Sequence, residues 1–275
     1  DLSWAAGDAQ AKGFLIGATS GRTTLNGEGL QHQDGHSHIL SSTIPNCLSY
    51  DPAYAYEVAV IVKDGIQKMY IDQENYFYYI TTINENYTHP EMPPGSEEGI
   101  IKGMYKIQDS IDPTVRLLGS GAILNEAIKA ADILKKYKIN SEIWSVTSFN
   151  LLRKDGMEVE RLNQLNPLDK KKDTYVERCF SGNKIPTIAA TDYMRAYAEQ
   201  IRPYIKGEYV TLGTDGYGRS DSRETLRDFF EVDSESISRA AIYILFQEGQ
   251  ISEDQIKKIY SELKVDPKKP NPWQV

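Results

Sequence analysis

Past residue 94 the chain alternates short β-branched stretches with amphipathic ones, and this alternation constrains the fold more than any other feature. Residues 115–118 end at Gly119-Ser120-Gly121 and give way to a helix over 123–137, where Ile123, Ala127, Ala130, Ala131 and Leu134 recur at helical spacing. Residues 142–146, 186–190 and 209–212 read as further strands. Helices are expected over 192–201, 222–230, 234–248 and 252–263, the last opened by Ser252 with acids at Glu253 and Asp254. Strands joined through helices run parallel, and the helices cover both faces of the sheet. The expected class is α/β with a mostly parallel sheet.

The first ninety residues are less regular. Residues 1–44 are rich in Gly, Thr, Ser and His and read mostly as loop. Asp51-Pro52 reads as the N-cap and first residue of a helix whose apolar face is Ala55, Val58, Ala59, Ile61 and Val62, with Gly65 at its end or at an interruption. Residues 77–83, FYYITTI, read as a strand. Residues 84–95, NENYTHPEMPPG, carry three prolines and a glycine, which places a boundary near Pro94 and divides the chain into 1–94 and 95–275.

Composition closes off several classes of function. With 31 basic and 39 acidic side chains the net charge is −8, which does not favour broad nucleic-acid binding. The longest apolar runs, 58–62 and 240–246, fall far short of the roughly 20 residues that span a bilayer. Cys47 and Cys179 have no CxxC partner and no signal-peptide pattern opens the chain, so a cytoplasmic location is expected, with Cys47 a small buried hydrophobe ahead of an apolar helix. The chain opens at Asp1 without a methionine and is expected to be a piece of a longer or split protein. A sheet divided there is expected to leave an uncovered edge.

The chemistry concentrates in one stretch, Gly27-Glu28-Gly29-Leu30-Gln31-His32-Gln33-Asp34-Gly35-His36-Ser37-His38, which holds three of the four histidines. Imidazoles exchange protons near neutral pH, and the flanking glycines let the backbone turn tightly beside a ligand. His32, His36, His38 and Asp34 are also residue types that bind zinc, but their spacing is not that of a helical zinc motif, and no metal site is assigned. Gly119-Ser120-Gly121 lacks the third glycine of a dinucleotide fingerprint and reads as a tight turn. The run 213–218, GTDGYG, reads likewise, followed by an expected ion-pair cluster of Arg219, Asp221, Arg223 and Glu224.

The segments GFLIGATSGRTTLNGEGLQHQDGHSH, TIPNCLSYDPAYAYEVAVIVKDG, YYITTINENY and LGTDGYGRSDSRETLRDFFEVD together resemble the homodimeric bacterial pyruvate dehydrogenase first component. The resemblance runs nearly end to end and covers only the C-terminal third of such a subunit. It implies the end of a thiamin-diphosphate pyrimidine-binding domain followed by a transketolase-like C-terminal domain. It implies pyruvate decarboxylation on thiamin diphosphate and reductive acetylation of lipoyl groups, with His32 facing the channel near the cofactor's reactive ring. Glu28 then orients or electrostatically tunes an imidazole, and His36, His38 and Asp34 belong to the active-site loop. Gln33 departs from the family pattern, where glutamate is expected. Asp215 and Arg219 are read as architecture.

The same resemblance marks what is missing. The family's GDG run with its later asparagines, which binds the diphosphate and Mg2+, is absent, as is the acid that activates the aminopyrimidine. No cofactor-binding residue is therefore assigned in this chain, which is expected to be inactive alone. The implied partners are the N-terminal part of the same enzyme, a second subunit in a homodimer, and the dihydrolipoyl acetyltransferase core, with no nucleic acid and no membrane. Two rival readings remain: a non-catalytic structural or assembly module of transketolase-like fold, and a metal hydrolase using His32, His36, His38 and Asp34.

Overall fold

The computed structural model describes residues 2–18 and 20–275. Two sheets meet at the C-terminal ends of their strands. The first is formed by β1 (Phe14–Gly17), β2 (Cys47–Tyr50) and β3 (Phe77–Thr81), all parallel, in the order β1-β3-β2. Helices α1 (Leu2–Asp8) and α2 (Ser37–Ser41) lie in the stretch read as loop, and α3 (Ala55–Ile66) carries the chain from β2 to β3. The early strands and α2 have only four or five residues each, too few for a period to emerge from sequence. Cys47 therefore sits on a buried strand rather than directly before a helix.

Helix α3 does not stop at Gly65. It continues to Ile66 and then widens into a π-helical turn, Gln67–Ile71. Glycine at 65 allows close packing on the sheet: a Cβ there would stand 2.7 Å from the Phe14 ring and 3.1 Å from the Tyr78 ring.

The second sheet follows α4 (Glu97–Lys102). It comprises β4 (Met104–Gln108), β5 (Val115–Gly119), then after α5 (Ile123–Lys136) β6 (Ser141–Val146), and after α6 (Phe149–Leu165) and α7 (Tyr175–Cys179) β7 (Thr187–Ala190). After α8 (Arg195–Glu199) comes β8 (Tyr209–Leu212), and α9 (Arg223–Phe229), α10 (Ser234–Gln247) and α11 (Glu253–Glu262) complete the chain. The order is β4-β6-β5-β7-β8, parallel except for β4, which pairs antiparallel with β6. This is the mostly parallel α/β arrangement expected from the alternation. Helices α5 and α10 bury Leu124, Ala127, Leu134, Ile237 and Ala241 against one face. Phe149, Leu152, Tyr197 and Ile201 cover the other.

The two sheets are joined by polar groups. Asp51 follows β2, and its carboxylate accepts from Thr81 Oγ1 (2.7 Å) at the end of β3 and from Ser120 Oγ (2.9 Å) just past β5. Its own N–H donates to the Thr147 carbonyl (2.8 Å) beyond β6, and its carbonyl accepts from Gly121 N (3.1 Å). Asp51 therefore does not cap α3, contrary to the expectation from Asp-Pro. The Tyr54 N–H at that helix start is bonded instead by Glu57 (3.0 Å), whose buried carboxylate also accepts from Tyr105 Oη (2.6 Å) and Ser145 Oγ (2.7 Å) of the second sheet.

Burial pushes the Asp51 carboxyl up to about 7, against the lowering effect of Thr81 and Ser120. A raised acid favours its neutral form in the fold, so its contribution is whole below the unfolded value of 3.8 and is lost as pH rises through about 7. Asp51→Asn removes this titration. Urea unfolding between about pH 4.5 and 7.5 is expected to show a fall in stability with rising pH on the order of 2 kcal/mol smaller in the variant. Equal slopes in both proteins would contradict this.

Candidate active site

The histidine loop is tied to the second sheet along its length. Arg22 N donates to the Asp192 carbonyl (3.3 Å) and Thr23 N to the Asp192 carboxylate (3.1 Å). Arg223 donates to the Thr24 carbonyl (2.8 Å) through Nε and to the Asn84 carbonyl (3.0 Å) through its terminal nitrogen. Gly27 N reaches the Asp221 carbonyl (3.1 Å), and Met194 N reaches the Gly35 carbonyl (2.9 Å). Arg223 is thus engaged with backbone carbonyls rather than with the neighbouring acids expected from sequence. The aspartate of the glycine run, Asp215, pairs with Arg195 (3.3 Å).

On this tethered backbone, Leu30–His32 forms one 3-10 turn that ends at His32. Gln31, His32, Gln33, Asp34 and His36 line an open depression of about 420 Å³. His32 and His36 are exposed there. Glu28 is exposed four residues earlier and lies outside this lining. Asp34 is committed to the backbone at the entry to α2, whose N-cap is His36: its carboxylate accepts from His36 N (3.1 Å), Ser37 N (3.0 Å) and the Ser37 hydroxyl.

His38 goes elsewhere. It has no exposed surface, stacks on Tyr197 at 4.8 Å between centroids, and meets the Tyr193 ring edge-on at 4.6 Å. Its Nε2 lies 3.2 Å from Thr81 Oγ1, the hydroxyl that serves Asp51. Burial pulls its pKa down to about 3, so the imidazole stays neutral. Among the described residues, no three His, Cys, Asp or Glu side chains gather into a metal-holding group. The set His32, Asp34, His36 and His38 is divided between surface and core, which removes the geometry that the metal hydrolase reading needs.

Sequence reasoning missed the buried acids. Asp192 lies just past β7 and its carboxyl is pushed up to about 6 by burial, with Arg227 opposing the shift. Arg227 pairs with Glu85 and, at 3.4 Å, with Glu126, so α9 holds both the linker and α5. An acid two residues past the end of a parallel strand was the available signal, because such strand ends are where α/β proteins place polar sites.

The comparisons with known proteins agree along the whole chain. Residues 1–90 match the pyruvate dehydrogenase E1 component middle domain, and residues 103–233 match the transketolase-like C-terminal domain. The pyruvate dehydrogenase E1 component of Cupriavidus necator is 51% identical over 100% of this chain, that of Pseudomonas aeruginosa 55% over 99%, and that of Escherichia coli 54% over 99%. The chain belongs to the bacterial pyruvate dehydrogenase E1 component family. It spans 31% of the length of these relatives and corresponds to their C-terminal part. Among solved structures, a Pichia stipitis transketolase superposes with a TM-score of 0.65 at 16% identity, over 90% of this chain and 33% of that one. A split-gene transketolase, an inactive β4 tetramer, gives 0.55 at 15% identity, over 86% of this chain and 67% of that one. The fold is therefore transketolase-like.

The placement of the histidines separates their mutational effects. His38→Ala is expected to lower stability by about 2–4 kcal/mol through loss of a filled core position, whereas His32→Ala stays within about 0.5 kcal/mol. Chemical denaturation of the two variants checks this, and equal losses would place both side chains in one environment.

Proposed function

We propose that this chain is the histidine-bearing C-terminal part of a pyruvate dehydrogenase E1 enzyme, which decarboxylates pyruvate on thiamin diphosphate and reductively acetylates lipoyl groups. The observation that carries this reading is the identity above 50% along the full chain to relatives so named, with the histidine loop among the matched residues. Residues 1–94 are the end of the pyrimidine-binding domain and residues 95–275 are the C-terminal domain.

The chain does not offer a site for the metal–diphosphate end of the cofactor. The GDG run is absent from the sequence, and no carboxylate or imidazole cluster replaces it among the described residues. Thiamin diphosphate with Mg2+ belongs to the complete enzyme, where it supplies the electron sink for carbon–carbon cleavage. The part played by this chain's own residues is narrower. His32 is exposed on a backbone held by surrounding hydrogen bonds, a disposition suited to giving or taking a proton from a bound substrate. Glu28 stands on the same exposed loop four residues earlier, and His36 with Asp34 shapes the loop beside His32.

The partner is the N-terminal part of the same enzyme. The edge strand β1 supports this, because Leu15 and Ile16 are about half exposed and, with Trp4 and Leu40, they leave apolar surface open. The complete enzyme is a cytoplasmic homodimer that works with a dihydrolipoyl acetyltransferase core. No described helix is long and apolar enough to cross a membrane.

Mixing this chain with a separately expressed N-terminal portion of the family tests the reading. Thiamin-diphosphate-dependent pyruvate decarboxylation is expected to appear on mixing and to fall on the order of 100-fold with His32→Ala. Each piece alone is expected to be inactive. Two folded pieces that give no activity together would leave a structural module in its place.

A further inference from the structure

Gln33 sits next to His32, and its side chain does something no other residue of the loop does. It is 5% exposed and lies against the backbone of Arg219 in the loop that leaves β8. Its Oε1 accepts from Arg219 N at 2.7 Å, and its Nε2 donates to the Arg219 carbonyl. One amide thus satisfies both backbone groups of a residue 186 positions away, as a paired strand would. The approach is close enough to require glycine next door: a Cβ on Gly218 would stand 2.5 Å from the Leu30 carbonyl and 2.7 Å from Gln33 Oε1. Leu30 is the first residue of the turn that ends at His32.

A neutral amide makes both bonds, whereas an ionised carboxylate has no proton to donate. A carboxylate accepts from Arg219 N but opposes the Arg219 carbonyl, and a hydrocarbon does neither. Both bonds are partly buried, so their loss leaves two backbone groups of the contact without their partner. The Arg219 side chain points away and packs its guanidinium 5.2 Å from the Phe229 ring centroid. The residue is thus held from both sides: α9 steadies its side chain, and Gln33 reads its backbone.

We infer that Gln33 is a positioning residue for His32: it clamps the 3-10 turn to the Arg219 backbone and so sets where the imidazole stands. This rests on the proposed role of His32, and the experiment separates the two. Gln33→Leu keeps the volume and removes both hydrogen bonds, while Gln33→Glu keeps the acceptor alone. In the chain as it stands, hydrogen exchange of residues 30–34 and 217–220 is expected to quicken about tenfold in Gln33→Leu, less in Gln33→Glu, with the strand amides of Leu117 and Ile188 unchanged.

In the mixture with the N-terminal portion, kcat is expected to fall about tenfold in Gln33→Leu with KM within about twofold, because a displaced group costs rate rather than binding. Gln33→Glu is expected to fall between the two proteins and serves if Gln33→Leu does not fold. Unchanged loop exchange in a folded variant overturns the clamp. Loop exchange that quickens while kcat stays unchanged, in a mixture that His32→Ala inactivates, overturns the positioning role. A mixture indifferent to His32→Ala would instead count against the catalytic reading of His32, and the exchange result would still decide the clamp.

Discussion

The fold depends on one buried carboxyl group. Asp51 is the point where the C-terminal ends of parallel strands from both sheets meet, and it uses side chain and backbone alike to hold Thr81, Ser120, Gly121 and Thr147. Ser120 passes the connection on to Thr191 at the end of β7, 2.9 Å away. Apolar packing could press two such sheet edges together, but it would not fix their register, because it has no direction. Hydrogen bonds at this edge do, and each buried partner left unpaired would carry a desolvation cost. The edge that Asp51 organises is also the edge from which the loops after β2, β5, β6 and β7 leave.

The chemistry of that junction is coherent in one pH range. His38 Nε2, Thr81 Oγ1 and Asp51 Oδ1 form a continuous line of polar atoms inside an aromatic cage. Burial pulls the imidazole down to about 3 and pushes the carboxyl up to about 7, so both ends of the line are neutral between those values. The two groups act on stability with opposite sign. The contribution of His38 is whole above its unfolded value of 6.5 and fades as pH falls towards 3. That of Asp51 fades as pH rises. A junction built of neutral groups avoids the large penalty of a lone buried charge and needs no counter-ion.

Much of the second sheet was legible because its short strands alternate with longer, locally consistent helices. Helix α5 carries its apolar residues at a clean helical period, and Ser222 and Ser252 begin α9 and α11 as their sequences indicate, accepting from Thr225 N and Gln255 N at 3.3 Å. Helix α6 was not legible: its buried face includes Asn150 and Gly156 among Phe149 and Leu152, so the apolar period is thin. Gly156 is there to face the Tyr204 ring, which comes from a distant part of the chain. Asp51-Pro52 shows the same limit at the site. The pair is a sound local sign of a helix start, yet hydrogen bonds to residues 30 to 96 positions away decide what Asp51 does. The histidine cluster was legible as a group, but the separation of His38 from His32 and His36 was not, because it depends on Tyr193 and Tyr197 closing over one ring.

An exposed imidazole is useful in catalysis only if its backbone is not free to wander, since precision of placement is most of what an active site contributes. Here the loop that carries His32 has little regular structure of its own and borrows rigidity from elsewhere. Asp192 and Arg223 hold its first half, Asp221 receives Gly27, and Met194 holds Gly35. Every one of these holding residues belongs to the second sheet's half of the chain, while the histidines belong to the first. The position of His32 is therefore a property of the junction between the two halves. A family member that kept the loop sequence but loosened that junction would retain the chemistry of its residues and lose their alignment.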